Sequence, residues 1–170
     1  MRTLFRLAAI LVGATAVHGP TSAVDAQQGN PTKASERAHA IIVLPTEIKF
    51  GPAPATLPAG ARLALIEGDP GKAGEFAMRL WMPAGYQIPP HFHPGTEHIT
   101  VVSGTFYVGM GEKFDRTRGT PLPTGTFGAL PAGMRHFAWT EGETVIQLHG
   151  VGPWRLTYVN PADDPSRKSK

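Results

Sequence analysis

The chain is expected to fold as a single all-β domain, a small barrel or sandwich of short strands. Three observations point there. Short apolar runs recur along the 170 residues with turn signals between them every eight to twelve residues or so, the pattern of strands joined by tight connections. Phe76, Met78, Leu80 and Met82 alternate with Ala77, Arg79 and Trp81, and a period of two marks a strand with one buried face. No stretch keeps helical amphipathicity for more than about two turns, while Gly 20 and Pro 17 suit many turns rather than long helices. There is no internal repeat. The length is that of one domain.

Taken in order, residues 1–26 stand apart from the fold. Arg2 and Arg6 flank an apolar run from Leu7 to Val17, followed by His18-Gly19-Pro20 and the small-x-small pattern Val24-Asp25-Ala26, so the segment reads as a secretory signal peptide cut after Ala26 or, alternatively, Ala23. The run is too short to span a bilayer. A periplasmic or secreted location is therefore expected, with no stable membrane insertion after cleavage. Zero cysteines leave an exported chain without disulfides, so its stability must come from the core and from any bound metal. Losing Arg2, Arg6 and Asp25 lowers the net charge from +3 to +2, and the remaining cations are scattered, which argues against nucleic acid as a partner.

Residues 27–37 (QQGNPTKASER) are polar and aperiodic, a mobile arm. The barrel is expected over residues 38–160. Its strands are expected at 38–44 (AHAIIVL), 47–50 (EIKF), 61–67 (ARLALIE) and 76–82. The prolines of Gly51–Gly60 forbid central pairing in between. After Glu97, HITVV reads as strand, and residues 105–110 are expected to fold back on it through Ser103-Gly104 as a hairpin. Residues 111–124 read as a long exposed loop. Strands follow at 126–130 and 136–139, a hairpin at Thr140–Glu143 leads into 144–149, and 154–159 is the last. Residues 161–170 form a solvated tail.

Chemistry concentrates in two stretches. In GYQIPPHFHPGTEHITVVSG, residues 85–104, His91 and His93 are two apart and share a strand face, and Glu97 follows four further on. In GTFGALPAGMRHFAWT, residues 125–140, His136 supplies a third imidazole. Imidazole nitrogen and carboxylate oxygen, with no thiolate available, suit one divalent first-row transition metal; iron, manganese, nickel, copper and zinc all remain open. No Gly-x-Ser-x-Gly, cysteine nucleophile or phosphate loop is present, and Gly109-Met110-Gly111 reads as a turn.

In these positions the chain resembles the cupin family. Gly85, His91, His93, Glu97 and Gly104 match its first motif position for position, and Gly125, Pro131, Gly133 and His136 match its second, where Thr140 replaces the usual Asn. The resemblance implies a jelly-roll-like β-barrel, a double-stranded β-helix, with the metal held by His91, His93, Glu97 and His136. It further implies a homodimer and a small-molecule ligand or substrate. Thr140 puts a local turn in doubt rather than the metal.

Such a site could serve a dioxygenase, isomerase or lyase acting on a small oxygenated metabolite, or alternatively a non-catalytic module that binds a small ligand or keeps the metal for structure. Catalysis would want a general base. His149 is the candidate, with Gln147 on the same strand face; if Ile146 and Leu148 point inward instead, His149 is a surface residue. His98 points away from its neighbour Glu97 and reads as a surface residue. His39 reads as a structural histidine, and Tyr107, Trp81 and Trp139 could line a pocket or simply fill the barrel, with packing favoured.

Overall fold

The computed structural model describes residues 40–167. The expected leader, the arm and His39 lie outside the described residues. Eleven strands follow one another: β1 (Gly51–Pro52), β2 (Arg62–Gly68), β3 (Gly74–Met82), β4 (Gln87–Phe92), β5 (Glu97–Ser103), β6 (Thr105–Met110), β7 (Gly119–Pro123), β8 (Phe127–Leu130), β9 (His136–Thr140), β10 (Thr144–Gly152) and β11 (Thr157–Tyr158). They form a six-stranded antiparallel sheet in the order β1-β2-β3-β10-β5-β8 and a five-stranded one in the order β11-β4-β9-β6-β7. This is the all-β, jelly-roll arrangement that the family resemblance implies. Among the described residues the only helices are three-residue 3₁₀ turns, and no helix is long and apolar enough to cross a membrane.

The two sheets pack their apolar faces together. Phe76, Met78, Leu80 and Met82 of β3 are buried as the period of two required, alongside Ile99 and Val101 of β5 and Ile146 and Leu148 of β10. Ile88, Phe106, Val108 and Ala138 face them from the other sheet. Each such side chain taken from water contributes about 1.5–3 kcal/mol where large, so this double row is what holds the barrel closed.

Two connections expected to be hairpins are corners instead. β5 pairs with β10 and β8, β6 with β7 and β9, and the chain passes from one sheet to the other at Gly104. Gly104 has φ +78, and a Cβ there would collide with the carbonyl of Glu143, so this corner admits no side chain. Likewise β9 pairs with β4 and β6 while β10 pairs with β3 and β5, so Thr140–Glu143 is a second crossing. The hydrophobic pattern of successive strands says that each has a buried face. It does not say which sheet the strand joins.

Four further expectations are corrected. Residues 40–44 form no strand, and Ile41, Ile42, Val43 and Leu44 are exposed: their β propensity finds no partner strand, and Pro45 opens a 3₁₀ turn to Glu47. Pairing at this sheet edge is taken by Gly51–Pro52 against Leu63 and Arg62, so 47–50 is not a strand. Residues 111–124 are only in part a loop, since β7 lies along β6. Here Phe114 packs 5.0 Å from the Phe137 ring, and the Arg116 guanidinium lies 5.9 Å above Trp139. Phe137 and Trp139 fill the outer side of β9, and side chains at Gly109 and Gly119 would collide with their rings. The final strand is shorter than 154–159, because residues 154–156 are committed to the cavity described below.

Thr140 keeps its turn. Its hydroxyl donates to the carbonyl of Pro83 at 2.6 Å, its amide donates to Tyr86, and its carbonyl accepts from Gly85.

Candidate metal centre

β4 and β9 are antiparallel neighbours whose register sets His91 opposite His136. Their ring centroids are 4.2 Å apart. His93, just past the end of β4, brings its ring to 5.0 Å from His91 and 5.4 Å from His136. Its carbonyl accepts the Gly133 amide at 2.8 Å, which ties the first histidine-bearing stretch to the second. Glu97 opens β5 in the opposite sheet. Its Oε1 lies 3.6 Å from His93 Nε2 and its Oε2 3.3 Å from His136 Nε2. The imidazole ligand atoms all lie within 4.8 Å of one another, and none of the four residues is more than 6% exposed.

The backbone decides which way each imidazole presents itself. Nδ1 of His91 lies 2.7 Å from the Pro89 carbonyl, that of His93 2.9 Å from Arg155, and that of His136 3.0 Å from Met134. A carbonyl only accepts, so each Nδ1 carries the proton and donates it, leaving the Nε2 lone pair for the interior. Burial, reinforced by the other two imidazoles, pushes His91 well below the ordinary histidine range; burial likewise lowers His93 against the opposing pull of Glu97. Both rings are held neutral. The Trp154 indole stacks on His93 at 4.1 Å and 14°, fixing that ring's plane.

The set that converges is composed of acceptors: inward nitrogen lone pairs and a carboxylate, with His93 Nε2 and Glu97 Oε2 buried and lacking any hydrogen-bond partner. Buried acceptors without a donor are expensive, and a divalent cation among them would satisfy them together. These residues therefore fit a metal ion, and His91, His93 and His136 could hold one.

The imidazoles open onto a cavity of about 490 Å³, the size of a small-molecule site. Its walls are mainly aliphatic, drawn from both sheets and from the connections at 54–57 and 154–156. Its titratable lining is His91, His93, His136, Glu97 and Arg155.

A profile for the ChrR cupin-like domain matches residues 39–155. The chain belongs to this cupin family. No curated protein matches it. Among solved structures this cupin is similar to a proposed acetylacetone dioxygenase from Methylibium petroleiphilum (21% identity, TM-score 0.60, covering 78% of this chain and 90% of that one). It is also similar to the polyketide cyclase RemF of Streptomyces resistomycificus (18%, 0.59, 76% and 92%). A third is an acetylacetone dioxygenase from Acinetobacter johnsonii (15%, 0.58, 80% and 87%). At these identities the likeness is one of fold.

The structure brings His91, His93, Glu97 and His136 together and leaves His149 and Gln147 elsewhere. β10 turns Ile146 and Leu148 into the barrel, where both line the cavity. His149 therefore lies on the outer face, its ring stacked on His98 at 4.8 Å and 13°, and Gln147 accepts from Arg79 Nε at 3.1 Å. Neither reaches the cavity, so the candidate base is corrected. The cause is β10's central place between β3 and β5, where its aliphatic face has two rows of apolar neighbours to meet. Tyr107, Trp81 and Trp139 do not line the cavity. Trp154 and Arg155 do, and no spacing rule pointed to them; they meet His93 across about sixty residues of sequence.

Proposed function

We propose that this cupin binds one divalent transition metal through His91, His93, Glu97 and His136 and acts there on a small oxygenated molecule, as a dioxygenase, isomerase or lyase. The observation that carries the reading is the acceptor-only set at the inner end of a small-molecule cavity, whose outer lining includes the exposed residues Pro54, Leu65 and Arg155. A metal bound there supplies Lewis-acid polarisation of a ligand oxygen and, if redox-active, reactivity with dioxygen. The chain's own residues do the rest. Carbonyls of Pro89, Met134 and Arg155 hold the imidazoles in one tautomer. Trp154 keeps His93 in plane, and Leu57, Leu63, Ile88 and Leu148 hold an apolar body and exclude water.

Names of two neighbours as acetylacetone dioxygenases agree with this reading, which rests on the cavity rather than on them. One observation favours the second reading, a non-catalytic ligand-binding module: apart from the four proposed ligands, the cavity lining offers Arg155 as its sole ionisable side chain, and an arginine is a poor proton acceptor. Elemental analysis of protein purified without an affinity tag should find one metal per chain. Persistently sub-stoichiometric metal under every loading condition removes both readings' metal. Metal-loaded protein that binds small oxygenated compounds without product formation or dioxygen uptake selects the second.

A further inference from the structure

Arg155 is the one cationic residue that lines the cavity, and it is solvent-exposed, whereas the three histidines lie 2–3% exposed. That places Arg155 at the mouth and the imidazoles at the inner end. The other six arginines of the described chain have neighbours of their own: Arg62 over Trp81, Arg79 on Gln147, Arg116 over Trp139, Arg118 near the Asp115 carboxylate, Arg135 on Glu112 and Arg167 on Asp164. Among the described residues nothing engages the Arg155 guanidinium; only its backbone carbonyl has a partner, the ring of His93. The rest of the lining is mainly apolar, with Leu57, Leu63, Leu65, Leu80 and Leu156, and Arg155 is its one cation outside the imidazole cluster; Thr56 and Trp154 add neutral polar groups.

We propose that the ligand of this cavity is a small carboxylate with an apolar body, its carboxylate held by Arg155 at the mouth and its far end directed at the imidazoles. This rests on the cavity reading above and narrows it to a substrate class. A guanidinium presents a planar fork that pairs with a carboxylate through two parallel hydrogen bonds, an arrangement that a neutral amide of equal shape cannot match. The aliphatic walls gain from an apolar chain and reject further charge. Because Arg155 meets His93 through its carbonyl, changing its side chain leaves the histidine's anchor in place.

Hexanoate and hexanamide, which share length and shape, separate the charge from the body. By calorimetry on the metal-loaded full chain at low salt, hexanoate is expected to bind about tenfold tighter than hexanamide, in keeping with a charge-assisted pair at an exposed mouth. In Arg155→Gln that preference should fall to about onefold, with hexanamide affinity unchanged, and Arg155→Lys should restore part of it. Equal affinities in the wild type, retention of the preference in Arg155→Gln, or no binding of either compound overturns the proposal. Metal content measured on the same samples keeps the two readings apart. Full metal with no preference removes only the carboxylate; a preference that follows Arg155 in metal-poor protein removes only the metal site.

Discussion

Among the described residues imidazoles lie close together in two regions, and in only one do they converge so that they could hold a metal. Inside the barrel, His91, His93 and His136 each donate Nδ1–H to a backbone carbonyl and turn Nε2 inward toward Glu97. On the outer face of the six-stranded sheet, His98 and His149 are cross-strand neighbours whose rings lie flat on each other at 4.8 Å, beside the exposed Phe127. Their Nδ1 atoms are buried and meet no partner. Stacked rings aim their nitrogens along the planes, away from any shared point; tilted rings held by carbonyls aim theirs at one point. Proximity of histidines is thus a weak criterion for a metal site, and orientation by the backbone is the strong one.

The sharpest way to break this contrast is to remove a ring from each region. His91→Ala should lower metal affinity by more than ~100-fold, since it deletes a ligand where loss of a mere orienting partner already costs 10–100-fold. Equilibrium dialysis reads this directly. An affinity within a few-fold of wild type would mean that the convergence seen here does not hold the ion.

The second test uses protons. Folded His91 and His93 are held below the ordinary value of 6.5, chiefly by burial, so between their folded and unfolded values the unfolded chain binds more protons. Stability of the metal-free protein should accordingly be flat above about pH 6.5 and fall as the pH drops below it. The metal-loaded form should fall more steeply, because protons also compete with the ion. Melting temperatures across that range check the sign, and a metal-free protein that gains stability on acidification would contradict it.

The smallest effect belongs outside. His149→Leu keeps the outer face covered and should leave metal content unchanged and stability within about 0.5 kcal/mol, as for a surface change away from special features. Burial and the nearby His98 also lower the His149 value, so a slightly shallower acid decline is expected. A loss of metal in this variant would erase the distinction between the two regions.

Much of the site could be read before any coordinates. His91, His93, Glu97 and His136 are spaced so that the right donor types sit on strands or at their ends, and Phe76 to Met82 announce their buried face. The pairing of His91 with His136 is non-local, but each lies in a motif that marks it. Illegible were those features that depend on a partner distant in sequence: the Arg155 carbonyl on His93, the Trp154 ring stacked against it, and the unpaired segment at Ile41–Leu44, whose β-branched residues looked like strand.

What the amino-acid order settled by itself was a local matter: which residues alternate, where the chain turns, and which donors are available to a cation. Choosing between the two faces of β10 was a tertiary decision. Alternation divides Ile146 and Leu148 from Gln147 and His149 without ranking them, and the ranking came from Met78 and Ile99, aligned with Leu148 on the flanking strands. At the centre the two levels share the work: His91 and His136 donate to carbonyls two residues earlier in the chain, Pro89 and Met134, and only His93 depends on a distant one, that of Arg155.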